Sequence, residues 1–250
     1  MESQATTENP NQIDPNVPPQ ADPSQSRPEA VTASEEKLPP RGLVERGKWN
    51  VCIGVLGRPG SGKSEWATRK VLELARQPCY VVAHDVMHRL PETLHDGKAT
   101  GMKRYEDTAE AAQAMAQDPR GIHSIATLDA GPVIELARAT AAASLEANGG
   151  ERGHPCMVLI DEVVAAGVCK PYLLTLDAQK LITQRRHWNV GTIWTCQSAR
   201  MVHNQLLSLA TELILFKLTD KRDHDRLIES GVDEELVLKT RNLPNYKFIR

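Results

Sequence analysis

From Trp49 onward, short runs of consecutive apolar residues alternate with longer stretches in which apolar residues recur every three or four positions. The first texture marks strands buried on both faces, and the second marks amphipathic helices. Runs at 50–57 (NVCIGVLG), 79–84 (CYVVAH), 123–128, 155–163 (PCMVLIDEV), 191–196 (GTIWTC) and 212–218 (ELILFKL) predict strands, with a last short one at 246–249. Between the first two, 65–75 predicts a helix whose apolar positions are Trp66, Val71, Leu72 and Leu74. Further helices are predicted over 107–117, 133–147, 171–186, 202–209, 220–229 and 234–240, with Pro171 suited to a first helical turn. Strands alternating with helices predict an α/β fold in which a mainly parallel sheet is covered on both faces.

The chain before this region has a different texture. Residues 1–41 hold eight of the sixteen prolines, no glycine and no aromatic residue, and carry three basic against seven acidic side chains. Such a segment cannot offset its ordering entropy by burying apolar surface, so residues 1–45 are expected to be a disordered arm and 46–250 a single folded domain. The arm reads either as a leader or linker or as a docking segment for a partner.

Charge sharpens this division. The whole chain has 30 Lys and Arg against 32 Asp and Glu, a net charge of −2, which excludes a basic nucleic-acid coat. Separated, the arm is acidic and residues 42–250 carry 27 basic against 25 acidic side chains, so near-neutrality does not exclude a nucleic-acid partner of the folded part. No run approaches the ~18 apolar residues of a membrane span, and MESQATTENPNQ has neither the basic nor the apolar part of a secretory signal. The cysteines (Cys52, Cys79, Cys156, Cys169, Cys196) are odd in number and form no C-x-x-C pair. They are expected to be reduced core thiols of a cytosolic protein, and His154-x-Cys156 alone is a weak zinc signal.

The strongest chemical signal is Gly57-Arg58-Pro59-Gly60-Ser61-Gly62-Lys63-Ser64, followed by Glu65, which matches G-x-x-x-x-G-K-[ST] in full. It stands between a predicted strand and a predicted helix, where glycines let backbone N–H groups curl around phosphate and the helix offers its positive end. In this pattern Lys63 reaches the β- and γ-phosphates of ATP and the Ser64 hydroxyl ligates Mg²⁺. The fold class then becomes a three-layer P-loop NTPase sandwich.

A phosphate loop needs a carboxylate on a nearby strand to organise the metal shell. The run CMVLIDEV ends on Asp161, placed for that task, and Glu162 follows, where an acid can orient and deprotonate an attacking water. The blander reading is that both cap the next helix. Asp161 lies 98 residues after Lys63 with two predicted strands between them, which favours the additional-strand (RecA-like) ATPases over the compact kinases. The inserted strand is GTIWTC, and Gln197 just past its end can sense the γ-phosphate or be an ordinary loop residue.

GRPGSGKS, the strand CYVVAH with Asp85 after it, VLIDE, and QRRHWNVGTIWTCQS together resemble the FtsK–HerA superfamily of ring-forming DNA-translocating ATPases, over about Val51 to Phe248. The resemblance implies ATP hydrolysis with Mg²⁺, a homo-oligomeric ring, expected to be a hexamer, and double-stranded DNA as cargo. It also implies an arginine offered to the neighbouring subunit's nucleotide. Arg186, eleven residues before Gln197, or its neighbour Arg185, stands at that place; both are equally readable as cations at a helix C-terminus. The sequence departs from the family pattern at Cys196, where a Thr usually precedes the glutamine, and in Ser198-Ala199-Arg200, where an Arg-Pro usually follows it.

Within the superfamily the chain is most similar to the compact genome-packaging ATPases of tailless icosahedral viruses with internal membranes. That likeness implies a cytoplasmic location in a host cell or a place at a virion's packaging vertex, with capsid-vertex or membrane-associated packaging proteins as partners. Candidate DNA-contacting loops are His95–Arg104, with Lys98, Lys103 and Arg104, and Arg200–Gln205; ordinary solvated loops are the alternative. Rival functions are a conjugation or plasmid-mobilisation ATPase of the same superfamily, a small-molecule or nucleotide kinase, and a non-motor nucleotide switch.

Overall fold

A computed structural model describes residues 43–86 and 89–250; the expected disordered arm lies outside the described residues except for its last three positions. Of these, Val44 and Glu45 belong to the folded body, because they pair antiparallel with Gly153 and Arg152. The strands are β1 (Val44–Glu45), β2 (Cys52–Leu56), β3 (Tyr80–His84), β4 (Lys103–Tyr105), β5 (Ile122–Ile125), β6 (Arg152–Gly153), β7 (Cys156–Ile160), β8 (Cys169–Lys170), β9 (Leu173–Leu174), β10 (Val190–Cys196) and β11 (Glu212–Leu215). The helices are α1 (Lys63–Ala75), α2 (Thr108–Gln117), α3 (Gly131–Ala147), α4 (Leu176–Trp188), α5 (Asn204–Ser208), α6 (Lys221–Glu229) and α7 (Glu234–Lys239). No helix among the described residues is long and apolar enough to cross a membrane.

Seven strands form one sheet in the order β11-β2-β10-β7-β3-β5-β4, and every neighbouring pair in it is parallel. Strand alternation divides the core in two. Ile53, Val55, Val81, Ala83, Met157, Leu159 and Ile193 face α1 through Ala67, Val71 and Leu74. Cys52, Leu56, Val82, Cys156, Val158, Ile160 and Trp194 face α3 and α4 through Val133, Ala137, Leu181 and Ile182. This is the expected three-layer α/β sandwich, and β10 does lie between the strand leading to the phosphate loop and the strand leading to Asp161. At the centre, Gly54 is the register partner of Trp194. A Cβ at Gly54 would stand 2.3 Å from Trp194 Cζ2, so the missing side chain is what admits the indole.

Several sequence expectations are corrected. Pro171 does not open a helix: it sits in the turn of the β8–β9 hairpin, a position its fixed φ also suits, and α4 begins five residues later. Thr175 caps α4 by accepting the Ala178 N–H. The strand expected over 123–128 ends at Ile125, and Leu128 is exposed. The helix expected over 202–209 is only the short α5, which His203 caps and which a 3₁₀ turn at Ala199–Met201 precedes. Of 246–249, only Ile249 pairs, as a bridge to Leu215. Edge strand β4 was not expected, since KRY carries no apolar run.

Candidate functional site

The phosphate loop is a pinned turn between β2 and α1. Its backbone is held by Gly57 N–H on the Cys196 carbonyl at 3.3 Å, Arg58 N–H on Lys217 at 3.0 Å and Ser61 N–H on Arg58 at 3.3 Å. Gly62 stands at the α1 N-cap with φ 106°, in left-handed space, and offers no side-chain cap. The first amides of α1 are therefore left for an anion. Lys63 folds back so that its Nζ donates to the Arg58 carbonyl at 3.1 Å, which spans the loop that phosphates would occupy. Burial lowers the Lys63 pKa, and the nearby charges of Glu162 and Asp161 only partly oppose it.

Asp161 leaves the end of β7 directly beside Ser64. Ser64 Oγ donates to Asp161 Oδ1 at 3.0 Å, and Thr195 Oγ1 donates to the same oxygen at 2.9 Å. Burial raises the Asp161 pKa, while the bonds from Thr195 and Ser64 lower it. Ser64 hydroxyl and Asp161 carboxylate give two hard oxygen donors side by side, the kind of partial shell that Mg²⁺ accepts when phosphate oxygens and water complete it. Glu162 adopts φ 55°, a left-handed conformation that a non-glycine residue holds only when its surroundings demand it. Its N–H donates to Thr195 Oγ1 at 2.9 Å, and its charge acts on both Lys63 and the Cys196 thiol, whose pKa burial and Glu162 raise.

The structure thus brings Lys63, Ser64, Asp161 and Glu162 together, with Gln197 half-buried at the end of the strand between them. Gly57, Arg58, Pro59, Gly60, Ser61 and Gly62 form the loop itself, with Arg58 turned outward to Asn245 Oδ1 at 3.3 Å. The Glu65 carboxylate is already engaged: it accepts Arg69 at 2.7 Å and the His95 N–H at 3.0 Å, tying the 89–95 loop to α1. Arg186 is not at this site. It is exposed in the last turn of α4, just before β10 begins, whereas the phosphate loop adjoins the far ends of the strands. Arg185 is different again, being buried and donating to the Ile182 carbonyl, to Asn50 Oδ1 at 2.9 Å and to the Leu209 carbonyl at 3.2 Å.

Of the loops, His95–Arg104 is largely fastened within the molecule. Lys103 pairs with Asp118 at 2.9 Å and Arg104 with Glu92 at 3.3 Å. The backbone N–H of Arg200 is held by Asp223 at 3.1 Å, and its exposed side chain lies 3.9 Å from Asp220.

Four further positions, none given a role in nucleotide binding by the sequence, shape the site. Thr195 is the shared brace of Asp161 and Glu162. Buried Asp85 accepts the amides of Arg89 at 2.8 Å and Leu90 at 3.0 Å, and Arg89 borders the cavity beside Lys63 and Ser64. His95 and Tyr246 complete a cavity of about 380 Å³ lined also by Gly60, Lys63, Ser64 and Arg89. A larger cavity of about 660 Å³ between α3 and α4 includes no phosphate-loop residue; its Arg138 is paired with Glu135 and lies 5.9 Å over the Trp188 ring.

No known family profile and no curated protein matches the chain. Among solved structures, the genome packaging NTPase B204 from Sulfolobus turreted icosahedral virus 2 has the same fold. In complex with sulfate it is 14% identical with a TM-score of 0.61, over 80% of this chain and 90% of that one. Its complex with ATP-gammaS is 16% identical with a TM-score of 0.58, over 80% and 91%. B204, the DNA-packaging ATPase from Sulfolobus Turreted Icosahedral Virus, is 16% identical with a TM-score of 0.55, over 80% and 90%. The fold implied by the likeness to FtsK–HerA packaging ATPases is therefore the fold observed.

Proposed function

We propose that this chain is the ATP-hydrolysing subunit of a ring-shaped motor that moves double-stranded viral DNA into a preformed capsid. The observation that carries the hydrolytic part is one hydrogen-bonded chain: Ser64 to Asp161, Asp161 to Thr195, and Thr195 to the amide of Glu162. It supports a reading in which Asp161 organises the metal and Glu162 is a second acid, both near enough to Lys63 for their charges to act on it. A kinase acting on a small acceptor often lacks that second acid, and β10 between β2 and β7 departs from the compact kinase arrangement.

In this reading the α1 amides and Lys63 bind the β- and γ-phosphates, and Ser64 and Asp161 hold Mg²⁺, which would offset phosphate charge. Glu162 orients a water and takes its proton as the γ-phosphate is attacked. Gln197 contacts the γ-phosphate and carries its loss to β10. Arg186, exposed and remote from its own site, reaches the nucleotide of the adjacent subunit. The likeness in fold to a packaging NTPase supports the choice of cargo, and Arg200–Gln205 is the loop through which DNA contact is proposed. The motor would work in the host cytoplasm or at the capsid's packaging vertex.

Glu162→Gln tests the hydrolytic assignment. ATP affinity should stay near the wild-type value while turnover falls by about 10² or more. Undiminished turnover would remove Glu162 as the base.

A further inference from the structure

The segment Leu243–Arg250 is fastened across the phosphate loop at several points. Tyr246 N–H donates to the Ser61 carbonyl at 2.9 Å, and Asn245 accepts from Arg58. Ile249 and Leu215 exchange backbone hydrogen bonds at 2.8 and 2.9 Å, extending the β11 edge. Phe248 lies between Trp66 and Phe216, with ring centroids 6.0 and 5.6 Å away. These contacts hold Tyr246 at φ 62°, against the preference of a bulky residue.

Burial does not account for that conformation, since Tyr246 is 55% exposed. What the conformation secures is position. The ring crosses Gly62 so closely that a Cβ there would stand 2.7 Å from Tyr246 Cδ1. It also meets the His95 ring at 5.5 Å, tilted by 46°. His95 is fixed independently by its N–H on Glu65. Both rings line the cavity that Lys63 and Ser64 line, so one cavity joins phosphate-binding groups to a half-open pair of aromatic faces.

We propose that Tyr246, supported by His95, is the wall that receives the nucleobase of the triphosphate held by the phosphate loop. This rests on the nucleotide-binding part of the function proposed above. A ring face stacks on any base and reads no hydrogen-bonding edge, so the site should take ATP and GTP with affinities within a fewfold of each other. Tyr246 is a positioning residue for the nucleoside end of the substrate.

The test compares calorimetric binding of Mg-ATP, Mg-GTP and Mg-tripolyphosphate to the full chain, its Tyr246→Gly and Tyr246→Phe variants, and His95→Ala. Glycine accepts φ 62° without strain, so Tyr246→Gly keeps the backbone and loses only the ring. Tyr246→Gly should bind ATP about tenfold more weakly than wild type while tripolyphosphate affinity is unchanged. Tyr246→Phe should retain ATP affinity, and His95→Ala should show a smaller loss confined to the nucleotides. Unchanged ATP affinity in Tyr246→Gly, or equal losses for ATP and tripolyphosphate, would overturn the assignment and leave Tyr246 a clasp on the loop. Wild-type protein that binds tripolyphosphate but discriminates strongly between ATP and GTP would also overturn it. Wild-type protein that binds none of the three would remove the phosphate-loop reading itself.

Discussion

Thr195 Oγ1 donates to Asp161 Oδ1 and accepts the N–H of Glu162, both at 2.9 Å, so one hydroxyl on β10 sets the position of two acids at the end of β7. It also couples the strand that carries Gln197 to the two acids. Thr195→Val preserves shape and removes both bonds. It should slow ATP hydrolysis by about 10- to 100-fold, the usual cost of losing a group that orients a metal-site ligand. Leaving the Glu162 amide without its acceptor should also lower stability by about 1–3 kcal/mol. Thr195→Ser should recover most of both. Steady-state kinetics and thermal melts check the pair of effects, and full activity in Thr195→Val would show that the brace is dispensable.

Adjacent arginines on α4 should separate cleanly. Arg185 joins α4 to Asn50 before β2 and to Leu209 after α5, so Arg185→Ala should destabilise the fold by about 2 kcal/mol or more. Exposed Arg186 should cost less than about 0.5 kcal/mol when replaced by alanine. Under the motor reading, Arg186→Ala nevertheless loses the part of ATP turnover that depends on assembly, while the isolated subunit keeps its nucleotide affinity. Melting curves and turnover measured against protein concentration distinguish the two. Concentration-dependent turnover that survives Arg186→Ala would place the trans-acting cation elsewhere.

Two core histidines predict how stability depends on pH. His84 and His123 are almost wholly inaccessible, and burial lowers the pKa of each below the ordinary 6.5. Hydrogen bonding to the Thr127 carbonyl for His84, and to the Asp118 carbonyl for His123, only partly opposes burial. The unfolded chain therefore takes up these protons first as pH falls. The contribution of both residues is complete above about pH 6.5 and is lost as pH drops toward their folded pKa values, with a slope of at most about 1.4 kcal/mol per pH unit for each. Denaturant unfolding of a His84→Gln/His123→Gln variant should show a shallower decline between pH 6.5 and 5 than wild type. Parallel declines would mean that neither imidazole governs this range.

The parts of the fold that were readable in advance are those where local chemistry and tertiary environment agree. VCIGVL and CMVLIDEV are apolar on both faces because their strands are covered on both sides, and GRPGSGKS carries its own turn geometry. Local preference misled at Pro171, which suits a first helical turn and a hairpin turn equally; the stronger cap at Thr175 and the pairing of β8 with β9 decided between them. The phosphate loop and the acid pair could be found from spacing alone. Tyr246 could not, because it meets the loop across some 180 residues and its strained φ follows from contacts on either side of it. Thr195 was hidden for a related reason: its role depends on a register that puts β10 beside β7, which only the assembled sheet supplies.

The central claim is that hydrolysis at this site drives movement along DNA within a ring. ATP turnover of the wild-type chain, measured with and without double-stranded DNA while the mass of the assembly is recorded in the same solution, tests it most directly. The account predicts a multi-subunit assembly whose turnover rises on adding DNA. A monomer that hydrolyses ATP at a rate indifferent to DNA would contradict it.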